Sequence, residues 1–136
     1  MNRMKGFAVA GVLVLSGCTI VQPAVPVNPA TWTFAPGEEI GAGTTQFTAM
    51  VTERSCASGR SSEGRIIGPQ VDLVDDTSVV VTFGVRPLDG SHECPGNPPT
   101  AVIVRLEVPL GDRALLDGGR EPPAEPPVCA NVDSCE

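Results

Sequence analysis

The sequence has no tyrosine, one tryptophan, one histidine and one lysine among its 136 residues. So few aromatic rings offer little material for a platform that stacks aromatic ligands. Basic residues are also scarce, because residues 18–136 hold seven arginines against sixteen carboxylates. Nucleic acid is therefore excluded as an expected partner, since its phosphate backbone requires a basic surface.

The sequence also lacks a long hydrophobic run. The N-terminus carries Arg3 and Lys5, and eleven uncharged residues at 7–17 then lead to Cys18. A transmembrane helix needs about 20 apolar residues, whereas this run breaks off into a polar, proline-rich segment. A basic start followed by a short apolar stretch is typical of a signal peptide, which we predict at residues 1–17.

The apolar run ends in LSGC at residues 15–18, which resembles the lipobox of bacterial lipoproteins. The resemblance implies that a diacylglycerol is attached to the sulfur of Cys18, that the chain is cut before this residue, and that the new N-terminus is often acylated. Two acyl chains anchor a protein stably, whereas one gives only marginal membrane binding. We therefore expect a lipid-anchored protein on the extracytoplasmic face of the cell membrane.

Prolines dominate the segment after Cys18, and they predict an extended, proline-rich tether over residues 18–43. Within it, Trp32 and Phe34 alternate in TWTFA and would share one face of an extended chain. We predict that these two rings pack as a first or edge strand of the domain. The alternative is that they dock a partner.

A β domain is predicted over residues 44–119, because its hydrophobic residues recur mostly with period two. TSVVVTFGV at 77–85 and AVIVRLEV at 101–108 alternate as strands do, while QFTAMVTE at 46–53 fits a strand and also a helical stripe. Connectors rich in proline, aspartate and glycine separate such runs. The spacing predicts an all-β fold, a small antiparallel sandwich or barrel of five or six strands.

The tail at 120–136 is too rich in proline and charge to predict a strand. Once Cys18 is assigned to lipid, four cysteines remain, and an even number in an exported chain indicates disulfides with three possible pairings. We favour one bridge within the β domain and one within the tail. The pairs are Cys56 with Cys94, and Cys129 with Cys135.

His92 carries the two sharper chemical hypotheses. With Cys94 it could bind zinc or copper, but the chain has no second histidine and an oxidised cysteine offers no thiolate. With Asp89 and Ser91 it could form a hydrolase triad, although triad members normally come from distant segments. We expect a solvated loop histidine, no catalytic or metal-binding residue and no cofactor.

Two acidic groups, Glu38 with Glu39 and Asp72 with Asp75 and Asp76, could form a carboxylate dyad or a calcium site. Asp75 and Asp76, however, stand where a hairpin must turn, and aspartate is favoured there because its side chain bonds to the local backbone. We therefore interpret these acids as solvated turn residues.

Residues 46–119 are similar to a small module of uncharacterised secreted and membrane-anchored proteins of high-GC bacteria. CPGNPP at 94–99 and PLGDRALLDGG at 109–119 carry most of this resemblance. In that module a cysteine often follows the final DGG, where this chain has Arg120, so Cys129 or Cys135 could take its place. The resemblance implies no catalytic or binding residue. We expect a noncatalytic binding or structural module of the cell envelope, whose partner would be an envelope protein or the cell wall.

Overall fold

The computed structural model describes residues 24–127, which contain six β-strands and no helix. The strands are β1 (Asn28–Phe34), β2 (Gln46–Glu53), β3 (Ile66–Leu73), β4 (Ser78–Val85), β5 (Thr100–Arg105) and β6 (Ala114–Asp117). They form one curled sheet, a half-barrel, in the order β3-β4-β1-β2-β5, with β6 paired to β4. The all-β fold predicted from the sequence is confirmed.

β1 lies in the middle of this sheet, between β2 and β4. Its seven residues fall inside the segment predicted as a tether, so the domain begins at Asn28 and a start at residue 44 is too late. The alternation of Trp32 and Phe34 predicted a strand here, but the prolines around it placed the segment in the tether. Pro29 is tolerated because its carbonyl faces Arg54, beyond the end of β2, so its missing N–H lies just outside the β1–β2 ladder, which begins at Ala30.

The core lies on the concave face and follows the predicted alternation. Every second residue of β2 and β4 points inward, including Phe47 and Val51 on β2 and Val81 and Phe83 on β4. Trp32 is 1% exposed and its ring contacts Phe34 and Phe47, with centroids 5.3 and 5.4 Å apart. The prediction that Trp32 packs in a first or edge strand is confirmed: β1 is the first strand, and it lies in the middle of the sheet rather than at an edge.

Two strands depart from the predicted pattern. β6 runs parallel to β4, the exception in an otherwise antiparallel sheet, and its four residues are not part of the alternating runs that predicted strands. β3 is an edge strand with a bulge between Ile67 and Gln70, where a glycine and a proline interrupt the alternation. The predicted strand at 101–108 ends at Arg105, and Val108 beyond it is 45% exposed.

The sheet has two ends that carry different loops. We call one the disulfide end, where β1 begins and where loops 54–65 and 86–99 connect strands; segment 118–121 lies beside them, sharing a cleft with Val27 and Arg54. At the opposite end, loops 35–45, 74–77 and 106–113 make the connections. The chain therefore enters the fold at the disulfide end.

Candidate functional site

Cys56 and Cys94 form a disulfide that joins the two loops of the disulfide end, with Cα atoms 4.5 Å apart and a separation of 38 positions in sequence. This is the pairing favoured from the sequence. The backbone supports the same junction, because Ser58 N donates to the Glu93 carbonyl at 2.9 Å. The two loops are therefore held as one unit.

Asn97, in the CPGNPP loop, ties this unit to the end of β2. Its Nδ2 donates to the carbonyls of Glu53 and Ser55, at 2.9 and 2.7 Å. Because these two carbonyls lie just where β2 ends, the side-chain amide takes the place of a further strand partner. The amide side chain of Asn97 thus gives the CPGNPP loop a structural role.

A buried ion pair lies beneath the same loops. The carboxylate of Glu53, which is 3% exposed, accepts hydrogen bonds from Arg65 Nη2 at 2.6 Å and from Asn28 Nδ2 at 2.8 Å. Burial opposes ionisation, but these hydrogen bonds and the charge of Arg65 outweigh it, so the pKa of Glu53 is lowered. The pair joins the start of β1, the end of β2 and the loop before β3.

His92 meets Ser58 rather than the partners considered from the sequence. Ser58 Oγ lies 3.4 Å from His92 Nδ1, and His92 Nε2 lies 2.9 Å from the Asp89 carbonyl oxygen. Because a carbonyl only accepts, Nε2 is the donor in this contact, and in the neutral imidazole Nδ1 is then the acceptor that faces the serine. No hydrogen bond of the described residues involves the Asp89 carboxyl or the Ser91 hydroxyl, so that triad does not form.

The Ser58–His92 contact is compatible with two roles. It could be a nucleophile with its general base, or a hydrogen bond that holds the two loops together. Ser58 has a φ of 53°, a left-handed conformation uncommon for serine. Its Oγ also accepts the Glu93 backbone N–H at 3.1 Å, which fixes the hydroxyl between the two loops. Both side chains stand at the surface, without the enclosed setting that would exclude water from a reaction.

Metal binding through His92 and Cys94 loses its thiolate, because Cys94 is in the disulfide. Among residues 24–127, no three histidine, cysteine or carboxylate side chains lie together as ligands. The acidic pairs act locally: Glu38 Oε1 accepts the Thr48 N–H, and Asp75 Oδ1 accepts the N–H and hydroxyl of Thr77. The Thr77 hydrogen bonds lower the pKa of Asp75, as befits a turn residue.

Asp117 forms a second buried polar centre, where β1 and β6 diverge along one edge of β4. It is fully buried, and its carboxylate accepts the N–H of Trp32 at 3.2 Å and that of Gly119 at 2.8 Å. Arg120 Nε lies 3.3 Å away. Burial raises the pKa of Asp117, against the opposing effect of these hydrogen bonds and of Arg120. Asp117 of the DGG sequence therefore connects the turn at 118–119 to β1 through a buried carboxylate.

The groups that matter most at these two centres were not singled out from the sequence: Ser58, Arg65, Asn97 and the buried role of Asp117. Each of them has a partner that is 12 to 85 residues away in the chain, and no local pattern reveals that contact. Cys18, Cys129 and Cys135 lie outside the described residues, so lipidation and the second bridge remain predictions.

No protein-family model matches the chain, and neither a curated protein nor a solved structure is similar to it. No helix long and apolar enough to span a membrane occurs among residues 24–127.

Proposed function

We propose that this chain is a bacterial lipoprotein that presents one noncatalytic β domain on the extracytoplasmic face of the cell membrane. The observation that carries the proposal is LSGC at 15–18, at the end of a basic and then apolar N-terminus. The acyl chains hold the protein at the membrane. The domain serves as a binding or structural module toward an envelope protein or the cell wall.

Two structural features support a noncatalytic role. The buried carboxylates, Glu53 and Asp117, are both engaged with groups that hold strands and loops together. The disulfide, the Asn97 amide and the Glu53–Arg65 pair stiffen the loops that begin beside the first strand. A rigid surface loses little conformational entropy when it binds a partner.

Intact mass of the protein taken from its own membranes tests the anchor. We expect a chain that lacks residues 1–17 and carries the added mass of acyl groups on Cys18. The matched control is Cys18→Ser, which removes the acylated sulfur and should leave an uncleaved, unacylated chain. A wild-type chain without acyl groups in the membrane fraction would refute the proposal.

A hydrolase is the second candidate, since Ser58 Oγ and His92 Nδ1 are 3.4 Å apart. Such an enzyme would use Ser58 as the nucleophile and His92 as its base. A fluorophosphonate probe tests it, because it labels activated serines. Labelling of wild type that is lost in both Ser58→Ala and His92→Ala, with Ser91→Ala unchanged, would establish the hydrolase and reject the noncatalytic role. We expect no labelling of any of the four proteins.

A further inference from the structure

The Cys56–Cys94 bridge lies at the surface of the domain. Both cysteines are exposed, and so are residues 58–61 of one loop and 93–96 of the other. Cysteine is among the residue types that folded proteins most often bury. Disulfides that are exposed to solvent are the labile ones, and they commonly have regulatory or catalytic roles because external thiols can reach them. The exposure of this bridge therefore indicates a site that external thiols can attack.

The hydrophobic core does not depend on the two loops that the bridge joins. Among the described residues, its contiguous cluster draws on the strands and on loop 106–113, and it has no member in loops 54–65 and 86–99. The strands also pair only with one another across the sheet, from β3 at one edge to β5 at the other. Breaking the bridge would therefore release the two loops while the sheet remains folded.

Hydrogen bonds on both sides of the bridge would bring the two thiols back together after reduction. On one side, Asn97 Nδ2 donates to the Ser55 carbonyl at 2.7 Å. On the other, Ser58 N donates to the Glu93 carbonyl at 2.9 Å, and Ser58 Oγ accepts the Glu93 N–H at 3.1 Å. Exposed hydrogen bonds of this kind are individually weak, so the reduced loops can open, but they close in the same register. Reduction of the pair is therefore reversible.

We propose that the Cys56–Cys94 bridge is a site of thiol–disulfide exchange, at which an external dithiol reduces the folded domain and releases loops 54–65 and 86–99. A thiolate of the dithiol attacks one sulfur of the bridge, the S–S bond breaks, and the other cysteine leaves as a thiolate and takes up a proton. The second thiolate of the dithiol then displaces the first cysteine from the mixed disulfide. Two electrons and two protons pass to the protein, which gains two thiols, while the dithiol becomes a disulfide. This exchange is independent of the lipid on Cys18.

The first test asks whether the bridge is reduced in the folded protein. The full protein, purified from its membranes in detergent, is treated with dithiothreitol and alkylated at intervals, and peptide masses follow Cys56 and Cys94 apart from Cys129 and Cys135. We expect a rate proportional to the dithiothreitol concentration that changes by less than about twofold when urea is added to about 1 M. A bridge that opened only on global unfolding would be reduced on the order of fivefold faster, or more, in the same urea. That acceleration would overturn the proposal.

The second test asks whether reduction releases the loops and not the sheet. Trypsin cleaves after arginine, and the chain has Arg60 in a loop of the disulfide end and Arg113 in a loop of the opposite end. We expect reduction to accelerate cleavage after Arg60 severalfold, and to leave cleavage after Arg113 and the fluorescence of the buried Trp32 unchanged. C56A/C94A is the matched control: it should be cleaved after Arg60 as fast as reduced wild type, and dithiothreitol should not change that rate.

Equal acceleration after Arg60 and Arg113, or no acceleration after Arg60, would overturn the release of the loops. Replacing dithiothreitol by oxidised glutathione should re-form the bridge and restore slow cleavage after Arg60. A chain that stayed reduced, or that paired Cys56 or Cys94 with another cysteine, would contradict the reversible exchange. None of these outcomes bears on the acylation of Cys18, which intact mass measures, so this proposal and the lipid anchor can fail independently of each other.

Discussion

At the scale of single residues, the fold depends on two carboxylates whose responses to acid are opposite in sign. The lowered pKa of Glu53 means that its contribution to stability is complete above the pKa of the unfolded chain and is lost as the pH falls through the folded value. The raised pKa of Asp117 means that protonation favours the folded state as the pH falls. The change in the free energy of unfolding with acid therefore combines a loss at Glu53 with a gain at Asp117.

Glu53→Gln tests the first of these sites. We expect a loss of about 2 kcal/mol in the free energy of unfolding at neutral pH, because the charged partner of Arg65 is gone. The difference from wild type in the free energy of unfolding should close as the pH falls through the lowered pKa of Glu53, because the wild-type carboxylate then becomes protonated. Urea unfolding at several pH values measures it, with the exposed Glu63→Gln as control. A gap that persisted at low pH would contradict the role of the ion pair.

Gly119→Ala tests the buried junction beside Asp117. A Cβ at this position would overlap the carbonyl oxygen of Ala30, which is backbone in the middle of the sheet and cannot move aside. We expect a loss of about 3 kcal/mol in the free energy of unfolding. Gly43→Ala is the control, since no atom lies within 4 Å of a Cβ there. Equal stability of the two variants would show that β1 and the DGG turn are not in contact.

At the scale of elements, the disulfide end is held by loops rather than by strand pairing. The two loops contribute few backbone hydrogen bonds between them, and the Cys56–Cys94 bridge carries much of their connection. Their order therefore depends on the oxidised state of one pair of cysteines.

C56A/C94A should lower the free energy of unfolding by about 4 kcal/mol, because the bridge closes a loop of 38 residues in the unfolded chain. Fluorescence of the buried Trp32 reports the transition in urea. The control is wild type with a reducing agent, which should reproduce the loss, whereas the same agent should not shift the transition of C56A/C94A. A double variant as stable as oxidised wild type would contradict this prediction.

At the scale of the whole molecule, the domain extends beyond both of the boundaries predicted from the sequence. It begins at Asn28, and it continues past Gly119 because Asp117 N donates to the Ala124 carbonyl at 2.7 Å and Pro126 is buried. Residues 120–126, the first part of the predicted tail, therefore pack against the domain.

Two truncations check this extent. A chain that ends after Pro127 should keep the stability of the full chain to within about 0.5 kcal/mol. A chain that ends after Gly119 should lose about 2 kcal/mol, because it removes the Ala124 bond, the burial of Pro126 and the arginine next to Asp117. Thermal unfolding of the two chains provides the measurement. Equal midpoints would place the end of the domain at residue 119.

The sequence predicted the elements whose pattern is local. The alternation of β2 and β4 and the pairing of Cys56 with Cys94 follow from spacing and from counting cysteines. β1, β3 and β6 were harder, because prolines interrupt two of them and the third has only four residues and lies among turn-forming neighbours. The Ser58–His92 and Glu53–Arg65 contacts depend on how the loops pack, and the alternation of hydrophobic residues in the sequence does not predict loop packing.

The half-barrel leaves β3 and β5 as strand edges, each with a feature that hinders further pairing. On β3, Pro69 lacks an N–H and the bulge after Ile67 shifts the register. On β5, two prolines precede Thr100 and the exposed Arg105 ends the strand. Such interruptions oppose edge-to-edge aggregation. Under the lipid anchor proposed above, copies would be confined to a membrane surface, where their strand edges would meet more often than in solution and where these interruptions would matter most.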